Sequence, residues 1–410
     1  MGLRDNYHRL VDHGPFFFAL MAAHVLAILL GLAAAFYMEH NGHHVTGMNN
    51  QIVWGMPHVF AVFLIVAASG ALNVASISSV FNRLAYKRFA RLSAILAISL
   101  LAGGLFVLLL DLGRVDRLII AMTSYNFKSI FAWNIYLYTG FFAIVGVYLW
   151  TMMELRMNRY SKYAGYAAFV WRLILTTGTG SIFGFLVARE AYDTAAMAPL
   201  FIASSFVYGL AFTVLVLLTM CWTLGITLMD KEFVQKVRGL LIIFTVTVLY
   251  FTIVQHLTNI YATQHHGVET YLLLTGGVIP VVFWGVQIAI GSILPMLVLA
   301  HPVLGVTRQG LSLASVLLLI GGLAQMYVII IGGQSYPLNI FPGMEATSSW
   351  IDGHFGQYVP TLPEIILGIS GISIAMLVTA MALKILRFLP DPVENKENAG
   401  SDAAKSAKAA

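Results

Sequence analysis

The chain has 410 residues, of which 59% are hydrophobic and 10% charged, with mean hydropathy +0.83 and a formal charge of +5. A soluble domain carries about 25% charged residues, so this composition excludes water as the main solvent and makes the lipid bilayer the first partner. The positive charge sits beside apolar runs and not on a soluble basic domain, which excludes a nucleic-acid-binding role. The single cysteine, Cys221, lies inside an apolar run, which excludes an internal disulfide and an iron–sulfur cluster held by this chain alone.

About 20 apolar residues cross a bilayer core as a helix that satisfies its own backbone. The first such run, 16–37, follows Arg4, Asp5, Arg9 and Asp12 and ends at Tyr37-Met38-Glu39 with no small-residue cleavage site, so it reads as a retained helix. Further spans are expected at 52–80, 91–110, 130–152, 166–188, 200–228, 238–262, 271–299, 311–332 and 362–388, giving an all-α integral membrane protein of about ten helices. With ten spans both termini share one side. That side then carries 18 of the 23 Lys and Arg residues, among them Arg83, Lys87, Arg88, Arg91, Lys231, Lys236 and Arg238, while the opposite loops hold Arg114, Arg117, Lys128 and Arg189. The positive-inside rule places both termini in the cytoplasm. The stretch 333–361, with Tyr336-Pro337, Phe341-Pro342, Trp350 and Tyr358-Val359-Pro360, reads as an ordered outer cap or an aromatic belt. Residues 391–410 read as a disordered cytoplasmic tail.

Charge near a span is costly unless it faces a bundle interior, a wet cavity or a partner. The second span opens with Trp54-Gly55-Met56-Pro57-His58, the third closes with Asp111-Leu112-Gly113-Arg114, the fourth opens after Asn126-Phe127-Lys128-Ser129 and carries Trp133-Asn134, and the fifth closes at Arg189-Glu190. Antiparallel spans therefore bring Trp54, His58, Asp111, Arg114, Asn126, Lys128, Trp133 and Arg189 to one membrane face. A quinone needs a hydrogen-bonding partner for each carbonyl, a proton-transfer group and apolar walls. His58 can move the proton, Asp111 can orient it or pass the proton on, and Trp54 and Trp133 can form walls. The plainer reading is that Asp111, Arg114, Asp116 and Arg117 pair to hold a loop and that Trp54 anchors the interface.

A second polar set, Gln255, His256, Asn259, Gln287 and Gln325, lies in the later spans. With no carboxylate among them it reads first as interhelical hydrogen-bond glue, then as a second site or a proton route. Glu364 can extend such a route or simply sit well at a helix N-terminus. His24 and His256 fall at different depths, so no haem held by this chain is expected. Thr177-Gly178-Thr179-Gly180-Ser181-Ile182-Phe183-Gly184 has no strand before it and is no dinucleotide loop; Gly180 and Gly184 form a small face for close helix packing.

On Trp54-Gly55-x-Pro57, Asp111-x-Gly113-Arg114 and Ser129 with Trp133, supported by Arg189 and Tyr358-Val359-Pro360-Thr361-Leu362-Pro363-Glu364, the chain resembles the NrfD/PsrC family of polysulfide reductase membrane subunits. Val115 and Asn134 stand where that family commonly has Pro and Gly. Within the family, the length, the ten spans and the Val-Pro-x-Leu-Pro-Glu lead into the last helix look most like the P subunit of the Dsr sulfur-metabolism membrane complex. The resemblance implies a membrane domain over 1–390 in a bacterial cytoplasmic membrane, with four-helix bundles near 52–188 and 200–332 plus flanking helices. It also implies a quinone (menaquinone or ubiquinone) at the outer side, a periplasmic ferredoxin-like iron–sulfur partner, and other membrane or cytochrome subunits. Two other classes compete. A secondary transporter also suits ten spans with buried polar groups, although no matched pair of broken helices marks a midplane site. A passive anchor would tolerate loss of the polar cluster.

Overall fold

The computed structural model describes residues 7–10, 14–80, 84–338 and 353–390. Ten long helices dominate: α1 (Pro15–Asn41), α2 (Met56–Ser79), α3 (Ala90–Asp111), α4 (Ile130–Met153), α5 (Ser161–Gly184), α6 (Met197–Leu224), α7 (Lys231–Tyr261), α8 (Val278–Ala300), α9 (Arg308–Ser335) and α10 (Leu362–Ile385). Among the described residues, nine are both long and apolar enough to cross a membrane; the exception is α5, whose 24 residues include Arg172 and several Thr, Ser and Gly.

Parity settles the role of α5. The two-residue strands β1 (Tyr7–His8) and β2 (Leu389–Pro390) pair antiparallel, and the Leu10 N–H donates to the Leu383 carbonyl at 3.0 Å. The first and last described segments thus meet at one end of the molecule, which requires an even number of crossings between them. We call that end the lower end, and the end where α1 finishes and α2 begins the upper end. The expected spans are all present, with two internal breaks: α2 is interrupted at Leu72, and the eighth span starts only at Val278, after Gly277 with φ +62°.

Helices α2, α3, α4 and α5 close one four-helix bundle, and α6, α7, α8 and α9 close another; α1 and α10 pack together on the flank against α3 and α2. The two bundles meet where α2 crosses α6. A Cβ on Gly70 would fall 1.6 Å from the Ser205 carbonyl oxygen, and one on Gly209 1.9 Å from the Gly70 carbonyl carbon. Only glycine allows that backbone approach, the small-residue packing that replaces hydrophobic drive between helices in lipid. Gly180 and Gly184 do the same on α5, lying against Ala198 at the start of α6 and Thr194 just before it.

At the lower end, arginines close helix ends. Arg91 donates from Nη1 to the Arg387 carbonyl at 3.2 Å and from Nη2 to the Met152 carbonyl at 2.6 Å, and Arg238 donates from Nη2 to the Ala300 carbonyl at 3.0 Å. Cations there meet carbonyls that have no intrahelical partner.

Candidate functional site

At the upper end of the first bundle, Pro57 in the opening turn of α2 forfeits an N–H that a helix start leaves unused. Gly55 just before it is required by space: its Cβ would lie 2.5 Å from Glu364 Oε1 and 2.8 Å from the Met48 side chain. The backbone at Trp54 is pinned by the buried amide of Gln334, whose Oε1 accepts from the Val53 and Trp54 N–H groups at 3.0 Å each. Its Nε2 donates to the carbonyls of Trp54 (3.0 Å) and Ile330 (2.9 Å). All four hydrogen-bonding positions of this amide are used, so it fixes the Trp54 backbone rigidly.

So held, the Trp54 indole stacks on the His58 imidazole, with centroids 5.1 Å apart and planes 9° from parallel; the residues stand one helical turn apart. Phe131 of α4 (5.9 Å) and Phe183 of α5 (5.8 Å, edge-on) close the other sides of the indole. Phe131 is 42% exposed while Phe183 is fully buried, so the aromatic box opens to the surface of the molecule past Phe131. His58 is half-buried and its ring nitrogens have no hydrogen-bond partner among the described residues.

Asp111, the last residue of α3, is half-buried with its Oδ1 enclosed and unpartnered. It does not hydrogen-bond to His58, so the expected orienting contact between them is not formed; its electrostatic neighbour is Glu364. Gly113, at φ +69°, turns the chain out of α3, and its missing Cβ makes room for the His43 ring, whose Nε2 lies 3.0 Å from that position.

Glu364 is fully buried and saturated. Its Oε2 accepts from the N–H of Gly47 (2.9 Å) and from the N–H and hydroxyl of Thr361 (2.8 Å each), and its Oε1 from the Tyr358 hydroxyl at 2.7 Å. That is a capping box, extended to the chain that leads into α2. The Tyr358 oxygen in turn accepts from the Met56 N–H at 2.6 Å. Burial, then the adjacent Glu364 charge, pushes the Tyr358 phenol well above its ordinary range.

The remaining expected residues stand apart from the box. Arg114 and Asp116 form an exposed ion pair at 2.9 Å, which raises the guanidinium pKa and lowers the carboxyl pKa through their mutual hydrogen bonds. Asn126 is exposed and its side chain accepts from the Lys128 N–H, a local turn contact; Lys128 is exposed too. Trp133 packs edge-on to Phe127 and donates to the Phe127 carbonyl at 2.9 Å, so it braces the loop and does not wall the box. Arg189 donates to the carbonyls of Gln334 and Gln51, at 3.0 Å each, and so ties the end of α5 to α9 and to the lead into α2; burial lowers its pKa. Asn134 donates to the Gly178 carbonyl at 3.1 Å and joins α4 to α5.

Sequence reading did not single out Phe131, Phe183 or Gln334 for the site, and it placed Tyr358 in the outer cap and the resemblance run without its bond to Glu364. It also missed a carboxylate in the second bundle. Glu269, on the short helix His266–Thr270, folds back so that its Oε2 lies 2.7 Å from His256 Nδ1 and its Oε1 accepts from Asn259 at 2.7 Å. The expectation that no carboxylate joins the later polar set is therefore corrected. In the outer cap, Phe355 stacks on Tyr271 at 5.1 Å and the Gly356 N–H donates to Ser335 at 2.7 Å. Phe341-Pro342, Trp350 and the expected tail 391–410 lie outside the described residues.

The family model described as polysulphide reductase NrfD matches residues 44–337. The chain belongs to the NrfD family. The match runs from the lead into α2 to the end of α9 and so takes in both bundles, leaving α1 and the Glu364-bearing α10 outside it. Over 383 residues the chain is 27% identical to the Hdr-like menaquinol oxidoreductase integral membrane subunit of Archaeoglobus fulgidus, covering 92% of this chain and 94% of that protein. It is 28% identical over 404 residues to a membrane subunit of a putative dimethyl sulfoxide reductase from Halobacterium salinarum, covering 90% and 92%. It is 22% identical over 409 residues to a selenate reductase subunit from Mesobacillus selenatarsenatis, again covering 90% and 92%.

Proposed function

We propose that this NrfD protein is the quinone-interacting membrane subunit of a multi-subunit electron-transfer complex. In this reading it exchanges electrons between a membrane quinone, menaquinone or ubiquinone, and an iron–sulfur protein docked on its upper, periplasmic face. The observation that carries the reading is the His58 imidazole, without a hydrogen-bond partner among the described residues and stacked on Trp54 within an aromatic box that opens past Phe131. A quinone fits this chemistry: a flat ring for the indole and phenyl faces, carbonyls for an imidazole nitrogen, and an apolar tail that can leave past Phe131.

A quinol supplies two electrons and two protons. In this reading the His58 ring nitrogen accepts one proton, a transfer that positioned imidazoles accelerate, and Asp111, at the upper end of α3, is a carboxylate that can pass it on. Electrons have no cluster to enter on this chain, whose one cysteine, Cys221, is buried in α6; a partner protein must take them. The names of the relatives, a menaquinol oxidoreductase subunit and reductase subunits, support this assignment. Its narrower form, a sulfur-metabolising complex in a bacterial cytoplasmic membrane with cytochrome subunits, rests on the Val359-Pro360-x-Leu362-Pro363-Glu364 lead into α10.

Purification in mild detergent, with the extracted quinone and the co-purifying proteins identified together, tests the reading. A quinone in stoichiometric amount with an iron–sulfur protein is expected. A chain that carries neither and supports no quinol oxidation when reconstituted contradicts it. Sidedness is tested separately: cysteines placed at Gly42 and Gly353 should react with an impermeant thiol reagent in intact spheroplasts, and reaction only after lysis would invert the topology.

A further inference from the structure

In the lower half of the molecule a cavity of about 430 Å³ lies between α1 and α10 on one side and α6 and α9 on the other. Phe63 of α2 and Phe212 of α6, with ring centroids 5.8 Å apart, close its upper end. Val316 and Ile320 of α9 line it and are 41% and 44% exposed, so it opens sideways to the surface of the molecule. Along α10 it runs from Ile372 to Leu383, or ~16 Å at 1.5 Å per residue. Spread over that height, the volume corresponds to a passage ~6 Å wide, narrower than a helix, which is ~10 Å across with its side chains. It is wide enough for one hydrocarbon chain, whose atoms pack ~4 Å from their neighbours.

Three polar side chains break the apolar lining: His24, Thr219 and Thr379. The Thr379 hydroxyl is spent on the Ala375 carbonyl at 2.8 Å. His24 and Thr219 have no hydrogen-bond partner among the described residues, so an imidazole N–H and a hydroxyl remain as donors. Side chains lean toward the N-terminus of their helix. His24 therefore leans downward on α1, which starts at the lower end, and Thr219 leans upward on α6, which starts at the upper end, so the two donors approach one depth.

Below them the rim is cationic. On α10 the lining residues Ile372, Met376 and Ala380 recur every four positions, and the next position on that face is Lys384, exposed, with Nζ 5.7 Å from the centre of the Phe18 ring of α1. On α9 the same spacing leads from Ile320 through Val316 down to Arg308, exposed, whose Nη2 donates to the Thr227 hydroxyl at 2.8 Å. Between these helices Trp222 of α6 meets Phe16 of α1 edge-on at 4.4 Å, one turn below Thr219. An exposed tryptophan at a span end marks headgroup depth.

We propose that this cavity is a site for one anionic phospholipid of the lower leaflet: an acyl chain rises to Phe63, ester carbonyls accept from His24 and Thr219, and the phosphate lies at Lys384 and Arg308. From bottom to top the protein presents cations, hydrogen-bond donors and apolar walls, the order in which such a lipid presents phosphate, esters and chain. A quinone offers carbonyls and a chain but no charge for the rim. The bound lipid ties the flanking helices α1 and α10 to the second bundle and, as a ligand of the folded state, stabilises it. This assignment stands on residues apart from the aromatic box and is independent of the quinone reading.

Native mass spectrometry of the full-length chain, delipidated in detergent and titrated with phosphatidylglycerol, reads the occupancy. One phosphatidylglycerol per chain is expected, bound roughly tenfold or more tightly than phosphatidylcholine, which has no net charge for the two cations to meet. Lys384→Gln should weaken phosphatidylglycerol about fivefold, the factor one cation beside an anionic lipid supplies, and leave phosphatidylcholine unchanged; Ala380→Phe, which fills the passage, should remove the site for both. Equal affinity for the two lipids, indifference to Lys384→Gln, or displacement of the lipid by an equal concentration of menaquinone overturns the proposal. If Ala380→Phe does not fold, a high-resolution map of the assembled complex decides: a single chain of density reaching Phe63 from a headgroup at Lys384 supports the lipid site, and an empty cavity or a partner's helix seated over Val316 and Ile320 overturns it.

Discussion

The two bundles each set a histidine close to the upper end, and the difference between those histidines separates their chemistry. His58 in the first bundle has ring nitrogens without a partner among the described residues, a parallel indole beside it and an opening to the surface past Phe131. His256 in the second is locked to Glu269 and faces a cavity no larger than a water molecule or two. An open imidazole among aromatic faces suits a flat organic molecule, whereas a paired imidazole beside water-sized spaces has no room for one.

The largest effect that would separate the two bundles belongs to His58→Phe, which keeps the ring packing and removes the proton-transfer group. Quinol oxidation by the assembled complex should fall ~10²- to 10⁴-fold, with partner binding kept. An equal loss from His256→Phe, measured in the same assay, would erase the distinction between the bundles.

Next comes the seam that holds the bundles together. Gly209→Ala drives a Cβ into the α2 backbone, where nothing as soft as a side-chain end can yield, so the cost should exceed the ~1–3 kcal/mol of ordinary overpacking. Thermal unfolding in detergent reads this, and an unchanged midpoint would mean that the two bundles can separate without penalty.

A smaller loss is expected from Glu364→Gln, which places an amide where four donors converge; leaving such donors poorly matched costs ~1–3 kcal/mol. Tyr358 adds a pH signature. Its folded-state pKa is raised, so its contribution is fully present below the unfolded phenol value of about 10 and is lost as pH rises beyond it. Tyr358→Phe should flatten the alkaline arm of the stability profile, and a profile identical to the unmodified chain would contradict the contact. The smallest effect belongs to Asp116→Asn: the Arg114–Asp116 pair is exposed, and its removal should leave the unfolding midpoint unchanged.

The helices were legible because bilayer crossing demands long apolar runs, and even α5 could be placed despite Arg172. The end-on motifs were legible in part: Trp54, His58 and Asp111 stand at the upper end because α2 begins there and α3 finishes there. The walls of the box were not legible, since Phe131 and Phe183 are two of the chain's 26 phenylalanines and no spacing marks which of them meet Trp54. Arg114, Asn126 and Lys128 share depth with the box, but their side chains face outward, which span ends alone cannot reveal. Glu269 went unnoticed because it lies on the short helix His266–Thr270, between the expected seventh and eighth spans. The cluster His265-His266-Gly267-Val268-Glu269 was the available signal, and its return to His256 depends on a tertiary fold-back.

Whether the first bundle, and not the second, receives the quinone is decided by a photoreactive quinone bound to the complex in membranes, followed by mapping of the labelled peptides. Label is expected on the segment holding Trp54 and His58 and on the segment around Phe131, competed away by unlabelled quinone; competed label confined to the segments holding His256 and Gln287 would contradict the assignment.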